Sequence, residues 1–296
     1  MCIRDRLQSN RLVGKIRQIT TKRVLGELAK RAKEDAEGYA TFWTSFGAVL
    51  KEGLYEEPEQ RDALLDLARF KSTGVEGLTD LAGYVGRMKD GQEAIYVITG
   101  ENEQALQRSP QLEGFKAKGV EVLLLTDPID DFWTASVEAY DGKPFKSVTK
   151  GGADLASIEK TADDDDEPKP DANVDDLVAR LKVALGEAVK DVRTSERLTD
   201  SPVCLVADDG DMDMRMERLL RQHRQVDVAS QRILEINPRH GLVQGLEHMT
   251  PGIAFDDMAQ LLLDQALILE GENLPDPAAF SRRLSAAVER GLPTAQ

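Results

Sequence analysis

The sequence predicts an α/β protein built from two units, on the strength of three observations. Short, nearly continuous apolar runs of strand length alternate with amphipathic helical segments, which is typical of sheets buried between helices. Two of these runs are separated by a connection long enough to contain a helix, as parallel neighbours require. Residues 151–173, with four consecutive aspartates and two prolines, then form an acidic linker between residues 1–150 and 174–296.

In the first unit we expect a long helix from Leu7 to Lys33, followed by shorter amphipathic helices. Ala94 to Thr99 reads AIYVIT and is a β-branched and aromatic strand. Glu101 to Lys118 is the helical crossover, and it leads to the most apolar strand, Val120 to Leu125. The sequence therefore predicts a β-α-β unit with a buried central strand.

In the second unit, short strands are again expected between helices. The predicted strands are Val203 to Val206 and Arg232 to Ile236, and the predicted helices are Val174 to Leu185, Asp211 to His223, Phe255 to Leu269 and one beginning at Asp276-Pro277. The overall expectation is α+β: a helical segment with a small αβα sandwich, then a mixed α/β unit ending in a helical pair.

Composition limits the classes of function. The 296 residues carry a net charge of −15, so most of the chain would repel a nucleic-acid backbone. No apolar run reaches membrane-spanning length, and the arginine-rich start lacks the apolar core of a secretory signal. We therefore expect a cytoplasmic protein that binds neither nucleic acid nor membrane. Two cysteines support no disulfide framework, and Cys204 reads as an apolar strand residue.

Three carboxylates follow the central strand, at the end of the sheet where α/β proteins usually bind ligands. Asp127, Asp130 and Asp131 are oxygen ligands of the kind that Mg²⁺ prefers, and they favour one hypothesis, a magnesium-dependent phosphotransfer enzyme. The alternative is structural. Asp127 then caps a helix from Ile129 to Ala135, with Pro128 in its first turn, and the other two acids favour its positive end.

A methionine-rich stripe occupies one face of the helix predicted at Asp211 to His223. At 100° per residue, the apolar positions fall together and the arginines fall opposite them. The stripe comprises Met212, Met216, Leu219, Leu220 and His223, and the arginines are Arg215, Arg218 and Arg221. Such a stripe is either core or a surface that repacks around varied partners.

The last two helices predict a homodimer. The first is apolar almost all round, and one pair of helices cannot bury both surfaces alone, so two pairs should form a four-helix bundle. The residues expected at this interface are Phe255, Met258, Leu262, Leu269, Phe280, Leu284 and Val288. A dimerisation scaffold with no other activity is a further hypothesis.

Several sequence blocks occur in an order that resembles one known family. They include FW..FG..LKEG at 42–53, YVGRMKDGQEAIYVITG at 84–100, GVEVLLLTDPID at 119–130 and ILEINPRH at 233–240. The chain is similar to the C-terminal half of bacterial heat-shock-protein-90 chaperones of the HtpG type. The resemblance implies an ATP-driven dimeric chaperone in which residues 1–150 are the distal part of the middle domain and 174–296 the dimerisation domain. ATP and Mg²⁺ would bind an N-terminal domain outside this chain, which itself needs no cofactor.

The resemblance also implies roles for individual residues. Arg4 falls in register with an arginine that reaches the ATP γ-phosphate. Unfolded clients are expected at two patches, and possible cochaperones are further partners. The first patch corresponds to Asp131, Phe132 and Ala135, with Trp133 displaced by one position from the family tryptophan, and the second to Met212, Met216, Leu219 and Leu220.

Overall fold

The computed structural model describes residues 11–151, 155, 158, 172–222 and 230–292. Its mixed α/β architecture confirms the predicted fold class. The helices of the first unit are α1 Arg11–Glu34, α2 Ala36–Glu56, α3 Arg61–Leu67, α4 Leu81–Gly86, α5 Glu103–Gln107, α6 Glu113–Ala117 and α7 Asp130–Ser136. Its strands are β1 Lys71–Ser72, β2 Ile95–Thr99, β3 Leu123–Leu125, β4 Ala139–Tyr140 and β5 Lys143–Ser147.

The sheet of the first unit has the order β1-β3-β2-β5-β4. Strands β2 and β3 are parallel, with Val97 opposite Leu123, which confirms the predicted β-α-β unit. Along β2 the side chains alternate between the two faces. Ile95 and Val97 join the core under α1 to α3 and α7, whereas Tyr96 joins the core under α5 and α6. The sheet is therefore the middle layer of an αβα sandwich.

The second unit contains α8 Ala172–Leu185, β6 Asp191–Thr194, β7 Val203–Val206, α9 Met214–Gln222, β8 Ile233–Ile236, α10 Gly241–Glu247, α11 Ile253–Leu269 and α12 Pro277–Gly291. Its sheet has the order β6-β8-β7, with β8 parallel to β6 and antiparallel to β7. Helices α8 and α11 cover one face and build the main core of this unit. Cys204 is buried on the other face, as expected of an apolar strand residue.

Helix starts follow the local chemistry of the chain. Four helices begin after an Asx residue whose side chain accepts a hydrogen bond from a backbone N–H in the first turn, which satisfies a donor that the helix leaves free. These residues are Asp35, Asp80, Asn102 and Asp276. The predicted start of α12 at Asp276-Pro277 is thereby confirmed.

The two units are joined by backbone and side-chain contacts. Gly151 donates its N–H to the carbonyl of Ala207 at 2.9 Å, and Ala207 donates to the carbonyl of Thr149 at 3.0 Å. The Glu113 carboxylate accepts the backbone N–H groups of residues 199–201 at 2.8 to 3.1 Å. In the described part of the predicted linker, Leu155 and Ile158 are buried in the first unit's core. These contacts bring β5 next to α9, where a cleft opens.

Among the described residues, none of the helices combines the length and apolar character needed to cross a membrane.

Candidate functional site

A cleft of about 490 Å³ lies between the sheet and α7 of the first unit and the segment leading into α9 of the second. It brings together the two predicted contact patches, which lie some eighty positions apart in the chain. Asp131 and Ala135 come from one patch, and Met212 and Met216 from the other. The remaining lining residues are Val97, Thr99, Thr134, Phe145, Lys146, Ser147, Lys150, Asp209 and Asp213. The lining of the cleft is thus mixed, with apolar side chains interspersed among hydroxyl groups and charged groups of both signs.

Asp131 joins the two walls of the cleft. Its side chain is only 2% exposed, and its Oδ2 lies 3.0 Å from Nε of Arg215 on α9. The two groups form an ion pair whose geometry is not that of a hydrogen bond. Within the described residues, Asp131 Oδ2 and Arg215 Nη1 are both buried and neither has a hydrogen-bond partner. Burial raises the pKa of Asp131 to about 6, although the positive charge of Arg215 opposes the shift. Asp131 therefore binds α9 of its own chain and is largely shielded from solvent, although the resemblance implies that it contacts clients.

Trp133 is not a surface residue, and the prediction that it contacts clients is wrong for this structure. Its side chain is 0% exposed, and its Nε1 donates to Oδ1 of Asp130 at 2.7 Å. Lys51 contacts the same carboxylate at 2.7 Å and Oδ2 of Asp127 at 2.7 Å. The Trp133 indole, the Asp130 carboxylate and the Lys51 ammonium are buried, whereas Asp127 is partly exposed at the edge of the network. The network holds α7 against α2.

The three aspartates of the phosphotransfer hypothesis are engaged in ion pairs, which leaves them less available to bind Mg²⁺. Asp127 and Asp130 neutralise Lys51, and Asp131 pairs with Arg215. No cluster of three metal-ligating side chains occurs among the residues that the structure describes. The structural alternative also needs correction, because α7 begins at Asp130 and not at Ile129. Its N-cap is Ile129 and no side chain makes a capping hydrogen bond, so Asp127 is not the cap. The side chain of Asp130 instead accepts the N–H of Asp127 at 2.9 Å.

Phe132 lies apart from the cleft. Its side chain is partly buried, and its ring packs edge-on to Tyr55, with centroids 6.2 Å apart. Tyr55 is 51% exposed. Phe132 is thus a half-exposed aromatic residue beside the cleft, and its predicted client contact stays a prediction.

The methionine stripe is divided between a loop and a helix. Met212 is 41% exposed and precedes α9, which begins at Met214 and not at Asp211. Met216, Leu219 and Leu220 are partly buried on α9, and Met216 lines the cleft together with Met212. The stripe is therefore neither closed core nor free surface.

Asp213 fixes the start of α9, a role that the sequence analysis did not identify. Its Oδ1 accepts the N–H of Arg215 at 3.0 Å, as an N-cap does. Its Oδ2 accepts the hydroxyls of Ser147 and Thr149 at 2.7 and 2.6 Å. The aspartate before the apolar stripe is a capping signal, whereas its partners in the first unit are too distant in sequence to be inferred.

The C-terminal helices divide the predicted interface residues into two groups. Phe255 and Leu262 are 1% and 2% exposed within a single chain, so the prediction that they face a partner is wrong. Met258 and Phe280 are partly buried. The exposed apolar residues of α11 and α12 are Ile253, Ile268, Leu269, Leu284 and Val288, with Leu292 directly after α12. Ile253, Ile268 and Leu292 were not identified from the sequence, because a helix that is apolar all round does not reveal its outer side. Arg4 and His223 lie outside the described residues.

Comparison with known protein families gives a match to the Hsp90 protein family over residues 2–296. Among similar curated proteins is the chaperone protein HtpG of Paramagnetospirillum magneticum, 53% identical over 98% of this chain and 48% of the relative. The chaperone proteins HtpG of Roseobacter denitrificans and Rhodospirillum rubrum are 49% and 50% identical over 98% of this chain. The chain spans about half the length of these relatives.

Proposed function

The chain belongs to the Hsp90 family, and from this premise we propose that it is the client-holding and dimerising portion of a molecular chaperone. The observation that carries the proposal is the cleft, in which Asp131 and Ala135 of one patch meet Met212 and Met216 of the other. The shared length is about half that of the relatives, and the assignment to their C-terminal half stays a prediction from the sequence blocks.

The mixed lining of the cleft suits client segments that carry both apolar and polar side chains. Met212 and Met216 carry flexible thioethers that adjust to differently shaped partners. Full burial of a methionine side chain contributes about 1.5–3 kcal/mol, and these two are already partly covered. Each cleft should therefore hold a client weakly, and weak binding allows release.

We propose that two copies associate through the exposed apolar residues of α11 and α12. Ile268, Leu269, Leu284 and Val288 are each about half exposed in one chain, and a second copy would cover them in a four-helix bundle. Two clefts could then engage one client, so that weak binding at each is strengthened. Sedimentation checks the assembly: Leu284→Glu should dissociate it without unfolding the chain.

ATP hydrolysis is proposed for the whole chaperone and not for this chain, which carries no predicted phosphate-binding loop. We expect ATP, Mg²⁺ and any cochaperones to act on this portion through other parts of the protein. A cytoplasmic location stays an expectation for the whole chaperone.

The client proposal is tested by measuring the affinity of a fluorescently labelled, permanently unfolded protein. Met216→Asp places a charge in the cleft wall and should lower the affinity roughly tenfold, which corresponds to about 1.4 kcal/mol. Val183→Asp is the matched control, because Val183 is apolar, 84% exposed and not among the residues that line the cleft. Equal affinities for both variants and the unaltered chain would favour the scaffold hypothesis instead.

A further inference from the structure

The arginine face of α9 remains without a role in the proposed function. Arg215 pairs with Asp131, but Arg218 and Arg221 turn the other way, toward the segment that follows α11. Both are partly buried, with side chains 23% and 30% exposed. One face of α9 therefore lines the cleft, and ion pairs hold the opposite face.

The end of α11 is shaped to meet these arginines. Gly271 has a φ of +72°, and its N–H donates to the carbonyl of Ile268 at 3.0 Å. The N–H of Glu272 donates to the carbonyl of Leu267 at 2.9 Å, which completes a Schellman-type ending. A Cβ at position 271 would lie 3.1 Å from Nη1 of Arg218. The backbone conformation favours glycine here, and the arginine side chain would have to shift slightly to admit a Cβ.

Glu272 binds both arginines at once. Its Oε1 lies 3.0 Å from Nε of Arg218, and its Oε2 lies 2.8 Å from Nη2 of Arg221. Arg218 also donates to the backbone carbonyl of Glu270. Burial acts to raise the pKa of Glu272, but hydrogen bonds from Arg221 and Arg218 outweigh it and hold the pKa below its usual value. The Glu272 carboxylate is consequently ionised at neutral pH and bridges the two arginines.

The same loop reaches the first unit. Oε1 of Glu270 accepts a hydrogen bond from Nε2 of Gln111 at 2.9 Å, and Gln111 is 0% exposed. Gln111 also donates to the carbonyl of Leu205 at 2.5 Å. The loop Glu270–Glu272 is therefore a junction at which α9, α11 and the first unit meet.

We propose that the Glu270–Glu272 loop positions the Met216 wall of the cleft and links it to the α11–α12 pair. The inference deepens the proposed function and rests on it for the identity of the client. Met216 lies on α9 between Arg215, held by Asp131, and Arg218, held by Glu272. Ile268 and Leu269, half exposed, directly precede the loop. Contact with a second copy at these residues would act on the loop and hence on the cleft.

The positioning role is tested by a measurement that does not depend on any client. In the full chain, methionine oxidation by hydrogen peroxide is followed residue by residue with mass spectrometry. Glu272→Gln should raise the oxidation rate of Met216 at least threefold, because α9 is freed on one side. Met88 and Met249, which are also partly buried, should keep their rates and serve as internal controls.

A matched variant separates positioning from general stability. Glu121, in the first unit, accepts two hydrogen bonds of 2.9 Å from Arg87. It does not line the cleft. Glu121→Gln should therefore leave the oxidation of Met216 unchanged. If Glu272→Gln fails to fold, Arg221→Gln and Arg221→Lys replace it, and only the charge-removing variant should expose Met216.

The results distinguish this inference from the proposed function. An unchanged Met216 oxidation rate in folded Glu272→Gln overturns the positioning role, whatever the client affinity. Suppose that Met216 oxidises faster in Glu272→Gln but the unaltered chain binds no client. That result supports the positioning role of the loop and rejects the client-binding site. Where both hold, Glu272→Gln should also weaken client binding severalfold, and its effect should not add to that of Asp131→Asn.

Discussion

The two walls of the cleft are held in different ways. On the first unit, α7 is fixed by a closed network in which Trp133 and Lys51 both contact the buried Asp130. On the second unit, the Arg215–Asp131 and Arg232–Glu217 pairs that hold α9 are largely buried. The pairs that Arg218 and Arg221 form with Glu272 on its other side are partly exposed. Buried charges are costly to separate, whereas accessible pairs exchange readily with water. We therefore expect α7 to form a fixed wall and α9 to form a wall that is adjustable on its Glu272 side, which suits a site for clients of varied shape.

The largest effect should come from breaking the fixed wall. Asp130→Ala leaves Lys51 buried with only Asp127 as a partner and removes the acceptor of the Trp133 indole. We expect a loss of about 3–5 kcal/mol in the free energy of unfolding, measured by urea denaturation. Glu272→Gln, at the adjustable wall, should lose about 1 kcal/mol or less. Similar losses for the two variants would remove the distinction between the walls.

A smaller effect concerns Glu270, at the junction behind the adjustable wall. Burial raises the pKa of Glu270 to about 7, although the hydrogen bond from Gln111 opposes the shift. The folded chain then binds this proton more tightly than the unfolded chain, so stability falls as pH rises from about 4.5 to about 7. Acidification from about pH 8 to about pH 6 should add about 1 kcal/mol to the free energy of unfolding.

The variant Glu270→Gln isolates this contribution. The glutamine side chain keeps an acceptor for Gln111 but does not titrate. The free energy of unfolding of the variant should therefore change less over the same pH range. Asp131, whose pKa is raised to about 6 by burial, contributes with the same sign and is present in both chains. A pH dependence that is identical in the variant and the unaltered chain would show that Glu270 is not the group responsible.

The sequence predicts well those features that depend on local pattern. The apolar runs at Ile95–Thr99 and Leu123–Leu125 are strands in parallel pairing, and the predicted αβα layering follows from them. In contrast, β6 was missed, because Asp191–Thr194 contains a single buried apolar residue, Val192, and carries no strand signal of its own. Its place in the sheet depends on pairing with β8, far along the chain.

The candidate site shows the same limit at the level of single side chains. Phe132 and Trp133 are adjacent aromatic residues, and only the fold decides that the second is buried against Asp130. Leu262 and Leu269 are both apolar positions of α11, yet one is core and the other surface. The partners of Asp131 and Glu272 on α9 are long-range ion pairs, which no spacing rule reveals.

The most direct test of the account is to locate the bound client on the chain. A photo-activated cross-linking residue is placed at position 216 or, as a control, at position 183, and each chain is irradiated with the unfolded client. We predict strong cross-linking from position 216, which lines the cleft, and little from position 183, which is 84% exposed but does not line it. Equal cross-linking from the two positions, or none from position 216, would contradict the assignment of the cleft as the client-binding site.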